Sequence, residues 1–332
     1  MVKMASKLTF GNAIADWQER INTPRLREER AARARQIMKK YGIPVLLTTG
    51  PDHNRYLTGL RGANFTPQLW YVLFFAEHDP VVFAHAGWLR QMPDQAPWIK
   101  NWRIARAWLS GICGPEAVQE EAKIFAAEIH QELREKGLTG EKIGIVGFDA
   151  PAREALSRVG LKLTDGLSIM REARSVKNMD EINCLKTVAA ICEATWYKVW
   201  EHLRPGMREN EVSHFIIRSL YEAGADEVPS IGVRSGPASF DRGFDGSGRL
   251  LQTGDLVYAA MCGVRYMGYG SCNYRTFILG RKPNDREKDW YKKLLDRLNA
   301  MIDEVSPVRQ PRMWPNIFLP PPTGDTRKRR NS

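Results

Sequence analysis

The 332-residue sequence predicts an α/β domain followed by an α+β domain. Strand-like and helix-like segments alternate from residue 25 to residue 159, which argues for α/β organisation. Two long helices and then strands separated by glycine turns occupy residues 178–279, which argues for α+β. The length fits two domains of roughly 100–200 residues each, and no run approaches the roughly 20 continuous apolar residues of a membrane helix.

Residues 25–41 (RLREERAARARQIMKKY) combine strong helix formers with an apolar face through Leu26, Ala34, Ile37, Met38 and Tyr41. Gly42 supplies a stop, and residues 43–49 read as a buried strand. Residues 69–76 and 80–84 are two further strands, separated by the polar turn Glu77-His78-Asp79. After a tryptophan-rich stretch, a helix over 115–136 opens on Pro115, a favoured first-turn residue. A short strand at 143–148 and a helix at 150–159 complete the first domain, bounded at 25–170.

Residues 171–177 (REARSVK) read as a basic connector without periodicity. Asn178 with Glu181 forms a capping-box signature. The helix it opens carries Leu185, Val188, Ala189, Cys192, Trp196, Val199 and Leu203 at core-facing spacing and ends before Pro205-Gly206. A helix over 209–223, strands at 230–234, 256–262 and 274–279, and a helix over 287–305 complete a second domain bounded at 178–304. The last helix is patterned through Trp290, Leu294, Leu295, Leu298, Met301 and Ile302. Residues 305–332 then hold six prolines and end near Arg327-Lys328-Arg329-Arg330, a composition expected to be disordered. A well-formed helix running into so foreign a tail is what a truncated or frame-shifted reading frame would look like.

The net charge of +11 is concentrated at the ends: residues 1–40 carry +6 and residues 305–332 carry +5, leaving the body neutral. A phosphate-tracking surface would lie on the body among aromatics, so no nucleic-acid partner is expected. Five scattered cysteines (113, 184, 192, 262, 272) read as reduced thiols. With no long apolar stretch at the start, a cytoplasmic location and no membrane partner are expected.

Several segments carry a resemblance. Pro51–Gly59 (PDHNRYLTG) resembles a strand-to-turn segment of creatinase-type N-terminal domains. Arg174-Ser175-Val176-Lys177 with Glu181, and then Pro205-Gly206-Met207 with Glu209, resemble the entry and helix connection of the catalytic domain in that superfamily. Gly254-Asp255-Leu256-Val257, Gly268-Tyr269 and Arg275-Thr276-Phe277 follow its G-D-L-V, G-Y, R-T-F order. The chain is identified by these motifs, over residues 25–304, as similar to the M24 group of aminopeptidase P, prolidase and creatinase. That resemblance implies a creatinase-like N-terminal domain and a pita-bread domain, here incomplete, in a homodimer that cleaves C–N bonds, often before proline. It further implies two divalent metals held by two Asp, one His and two Glu, a clamp that turns a bridging water into a nucleophile.

The positions that the resemblance assigns to those ligands are substituted. The first Asp position is Ala260, and the second is Ser271, or Cys272 if one residue is inserted ahead of Gly268. No His follows His214, and the only Glu residues beyond Phe277 are Glu287 and Glu304. The acid/base His that metal-free creatinase uses corresponds to Gly243, flanked by Asp241 and Asp245 in a loop whose aspartates suit turn chemistry. No metal ligand and no cofactor is therefore expected. Cys262 and Cys272, if paired across strands, would share one cavity as nucleophile or soft-metal ligands, or pack in a core. His53, Arg265 and Arg275 are the candidate substrate contacts, the arginines for an anionic ligand. The expected protein is a catalytically inactive relative of C–N hydrolases. The alternatives are a metal-free hydrolase or lyase acting on a small amide, and a module binding a small molecule, a peptide or a protein.

Overall fold

The computed structural model of the chain describes residues 21–62, 69–108, 114–240, 243 and 246–305. Residues 306–332, Cys113, Asp241 and Asp245 lie outside these, and so does the expectation of a disordered tail. The first domain runs α1 (Thr23–Tyr41), β1 (Val45–Thr49), α2 (Pro51–Thr58), β2 (Trp70–Phe75), β3 (Val81–Ala84), α3 (Met92–Gln95), β4 (Asn101–Ile104), α4 (Pro115–Glu135), β5 (Lys142–Val146), α5 (Ala150–Arg158), β6 (Lys162–Asp165) and α6 (Leu167–Ala173).

Its six strands lie in the order β4-β3-β2-β1-β5-β6. β1 is parallel to β5 and antiparallel to β2, so the sheet is mixed. Side chains alternate faces along each strand. Val45, Leu47, Tyr71, Leu73 and Phe83 join one core with Phe125 and Ile129 of α4. Leu46, Val72, Phe74 and Val82 join another with Ala34 and Met38 of α1. Covering on both faces explains why β2 and β3 are unbroken apolar runs and why every residue of β1 is buried. Trp108 is buried in the first core and donates its indole N–H to the Asp149 carboxylate at 2.9 Å.

The second domain has α7 (Met179–His202), α8 (Glu209–Glu222), β7 (Ser230–Ser235), β8 (Leu256–Tyr266), β9 (Tyr269–Ile278) and α9 (Asp285–Glu304). The antiparallel sheet has the order β7-β8-β9 among the described residues, and α7 and α8 cover one of its faces. The capping box at α7 forms as the sequence indicates: Asn178 Oδ1 accepts from the Glu181 amide at 2.8 Å, and Glu181 Oε2 accepts from the Asn178 amide at 2.9 Å. Asn178→Ala should lower stability by about 1 kcal/mol, read from a denaturant midpoint at unchanged slope.

Several expectations need correction. Residues 51–58 form a helix ended by Gly59 rather than a strand leading into a turn. Residues 171–173 belong to α6, whose Ile169, Met170 and Ala173 extend the first domain's core, so helix overlaps the expected connector. On α1, Tyr41 is exposed and the buried set includes Arg30. On α7, Ala189 is exposed and Cys184 and Ile191 take core places. β8 and β9 are longer than expected because they continue through a tight turn at Met267-Gly268. Helix α9 contains no buried residue: its apolar face, including Leu294, Leu298 and Ile302, is exposed.

Candidate functional site

Strand register decides which side chains share the uncovered face of the second sheet. Ala260 lies opposite Gly232 on β7 and Tyr274 on β9, and Tyr258 lies opposite Arg234 and Thr276. Directly opposed residues point to the same side. Val257, Ala259 and Met261 therefore point the other way, into the core with α7 and α8. Among the described residues, the open face carries Arg234, Tyr258, Ala260, Cys262, Cys272, Tyr274 and Thr276.

The pairing of β8 with β9 shifts register between Met261 and Val264, a bulge that sets Cys262 and Gly263 against Cys272. Gly263 sits at φ 73°, backbone that a residue with a side chain rarely adopts. This bulge separates Ser271 and Cys272, the two positions considered in the sequence, onto opposite faces of the sheet. Ser271 lies on the helix side, where its hydroxyl accepts from the Asn273 side-chain amide at 2.7 Å. Cys272 faces the open side, its Sγ 3.3 Å from the Gly263 amide. Cys272, and not Ser271, thus shares the open face with Ala260.

Cys262 Sγ and Tyr274 Oη lie 3.2 Å apart. The Cys262 contact, with burial and the nearby thiols adding to it, pushes the Tyr274 phenol above its ordinary value. It stays protonated at neutral pH and is a donor rather than a base. The Tyr258 and Tyr274 rings stack with centroids 6.0 Å apart. The face is thus lined by thiols, phenols, a methyl group, the Thr276 hydroxyl and the Arg234 guanidinium.

The other candidates are dispersed. Arg234 lies over Gly243, where a Cβ would come within 2.0 Å of its Nη2. A histidine at position 243 therefore requires the guanidinium to move. Arg265 makes a bidentate pair with Asp52 of α2 at 2.7 and 3.2 Å, which ties the two domains together. Arg275 points to the helix side, pairs with Glu193 of α7 and lies over the Trp196 ring. Both guanidiniums expected for an anionic ligand are thus engaged by carboxylates of the chain. His53 of α2 is partly buried, and its Nδ1 has no hydrogen-bond partner among the described residues. Burial, and then Arg174, pushes its pKa down against the pull of Asp52, so the imidazole is neutral at pH 7.

A feature missed in the sequence lies beside this face. The Glu209 carboxylate is buried and accepts four hydrogen bonds, from the Ser235 amide and hydroxyl (both 2.7 Å) and the Ser247 amide and hydroxyl (3.1 and 2.6 Å). Arg249 bridges Ser235 Oγ to Asp255. This knot fastens the end of β7 and the 246–249 loop to the start of α8. Its signal in the sequence was the Glu of the P-G-M-x-E segment, which marks the residue without its partners.

Residues 30–176 match the family model for the creatinase/prolidase N-terminal domain, and residues 183–312 match that for metallopeptidase family M24. The chain belongs to the M24 creatinase/prolidase family, with a creatinase-type N-terminal domain ahead of the M24 domain. It is similar to a Mycobacterium tuberculosis protein named "Probable dipeptidase PepE", with 30% identity over 157 residues, 47% of this chain and 41% of that one. The chain thus spans about two fifths of the length of that relative in the match. It is also similar to an agropine synthesis cyclase of Rhizobium rhizogenes, with 24% identity over 75% of this chain and 65% of the relative. Among solved structures, a prolidase from Thermococcus sibiricus superposes with a TM-score of 0.68 at 22% identity, over 84% of this chain and 72% of the other. An Xaa-Pro dipeptidase from Bacillus anthracis gives 0.65 at 23% identity, over 83% and 70%. These two show the shared fold.

The family's pair of divalent ions does not fit the residues described. No group of three or more His, Cys, Asp or Glu side chains able to hold a metal occurs among them. Ala260 offers no donor, and a thiol at Cys272 is a soft ligand where a hard dication asks for oxygen. Glu287 is occupied at the start of α9 by Arg281 and the Asn284 amide. Among the described residues no helix is long and apolar enough to cross a membrane.

Proposed function

We propose that this chain is a non-catalytic M24 protein that binds a small amide or dipeptide-like ligand without the family's two-metal hydrolysis. The observation that supports this reading is the open sheet face. Ala260 and Cys272 share this face at positions where the family resemblance places two aspartates, and the ionisable groups described on it are the Cys262 and Cys272 thiols, the Tyr258 and Tyr274 phenols and the Arg234 guanidinium. A water bridging two ions needs anionic ligands to hold them, and among the described residues this face supplies no carboxylate. The dipeptidase and prolidase names among the relatives supply the ligand class. The homodimer expected from the family is part of the same proposal.

The Cys262–Tyr274 contact favours a second reading, metal-free acid–base chemistry on a small amide, with Tyr274 as proton donor. The test is metal analysis of the purified chain after manganese loading and dialysis, with turnover of Xaa-Pro dipeptides measured in parallel. Substoichiometric manganese and no turnover are expected. Two retained ions with turnover would overturn the proposal, and turnover in a chelator that is lost in Tyr274→Phe would establish the second reading.

A further inference from the structure

A cavity of about 330 Å³ opens between the two domains, away from the uncovered sheet face. Its walls come from α1, α2, the 174–181 segment and the Met267–Gly270 turn, and they carry Arg30, Arg55, Arg174 and Lys177 against two acids, Asp52 and Glu181. Both acids are already engaged. Asp52 is held bidentately by Arg265. Glu181 accepts from the Tyr269 hydroxyl at 2.9 Å and from the Asn178 amide, with Arg33 at 3.6 Å.

The cations are not matched in the same way. Among the described residues, Arg30, Arg174 and Lys177 have no carboxylate within 4.0 Å, and Arg55 reaches Asp226 only at 3.9 Å. Arg30 is 6% exposed, its Nε has no hydrogen-bond partner, and its Nη atoms make long bonds to Tyr269 Oη (3.3 Å) and the Arg55 carbonyl (3.2 Å). The side chains of Arg174 and Lys177 donate to backbone carbonyls: Arg174 to Met170, and Lys177 to Arg174 and Ser175. A buried guanidinium without a counter-charge is costly, and an unmatched buried polar group calls for a missing partner.

We infer that this interdomain cavity is a binding site for a small anion bearing a phosphate or carboxylate group, contacted by Arg174 and Lys177 and charge-compensating Arg30. The volume lies at the lower end of small-molecule pockets, which suits a compact polar ligand rather than a peptide. Because the walls come from both domains, the ligand holds them together as it binds. This inference is independent of the one drawn for the sheet face, since no residue of that face lines this cavity.

The test is calorimetric titration of the purified chain with inorganic phosphate and, separately, with citrate, at matched ionic strength in chloride. One-to-one binding of at least one probe is expected, weakened about tenfold or more in Arg174→Ala and in Lys177→Gln. Lys123→Ala, an exposed lysine on α4, should bind as the parent does. Tighter phosphate than citrate marks a phosphorylated ligand, and the reverse marks a carboxylate. No binding of either probe, or equal binding by both cavity variants, overturns the inference. Lys177 is exposed, so its variant should fold. Independently of any variant, crystals soaked in arsenate should show anomalous density beside Arg174 and Lys177; a peak only elsewhere counts against the site.

Discussion

Glu209→Ala is expected to lower the unfolding free energy by about 3–4 kcal/mol, the largest single loss expected in the second domain. The substitution strips a buried carboxylate from four donors on Ser235 and Ser247 and leaves them facing a void. Arg234, 3.7 Å from the carboxylate, loses its counter-charge as well. Glu209→Gln keeps one acceptor oxygen but turns an amide N–H₂ toward donors, so it should cost about 2 kcal/mol. Equilibrium denaturation in urea reads both. A loss below about 1 kcal/mol in the alanine variant would mean that the 246–249 loop is not fastened through this carboxylate.

The second large effect belongs to Asp180, the acid that locks the chain ahead of α1 onto α7. It is buried and accepts from the Asn22 amide at 3.0 Å and from Arg25 Nε and Nη2 at 2.8 and 2.9 Å. Asp180→Ala should cost about 2 kcal/mol, most of it from the buried end of the contact, because Arg25 is half exposed and water screens its share. The pH dependence follows from the same bonds. The Arg25 hydrogen bond, together with the Asn22 amide, outweighs burial and holds the Asp180 carboxyl below its ordinary value. At Glu209, burial pushes the other way but is outweighed by the Ser247 and Ser235 bonds, so this carboxyl too lies below its ordinary range.

A carboxyl whose folded pKa is depressed binds its proton more weakly in the folded state than in the unfolded one. Its stabilisation is complete above the unfolded values, about 3.9 for Asp and 4.3 for Glu, and is lost as pH falls through the lower folded values. Stability should therefore be flat near neutrality with respect to these two groups and decline below about pH 4. In Asp180→Ala the acid decline should be shallower, because one of the depressed carboxyls is gone. Midpoints of thermal unfolding from pH 3 to pH 7, compared between parent and variant, check this; an unchanged slope would remove Asp180 from the account.

Much of the first domain was legible in the sequence for a local reason. A strand buried on both faces must be apolar throughout, and a helix between two layers must repeat its apolar residues at helical spacing, so residues 43–49, 69–76 and 115–136 announced their structure. The capping box at Asn178 was legible because it is closed within four residues. The turn reading of residues 51–59 failed because Pro51 begins a helix whose Tyr56 and Leu57 are buried only by tertiary packing. The helical pattern of α9 was read correctly as helix, and its apolar face is exposed, since periodicity shows amphipathicity and not what covers it.

The substitution of Ala260 was visible in the sequence, but the identity of its partner was not, because a bulge changes which side chains share a face without changing composition. Sequence by itself determined the family and the order of elements, since these rest on local pattern and residue chemistry. Only the tertiary structure placed Cys272 rather than Ser271 on the same face as Ala260, paired Arg265 with Asp52, and gathered Arg30, Arg174 and Lys177 around one cavity. Those juxtapositions join residues up to about two hundred positions apart, and their energies depend on distance and burial, which linear spacing does not carry.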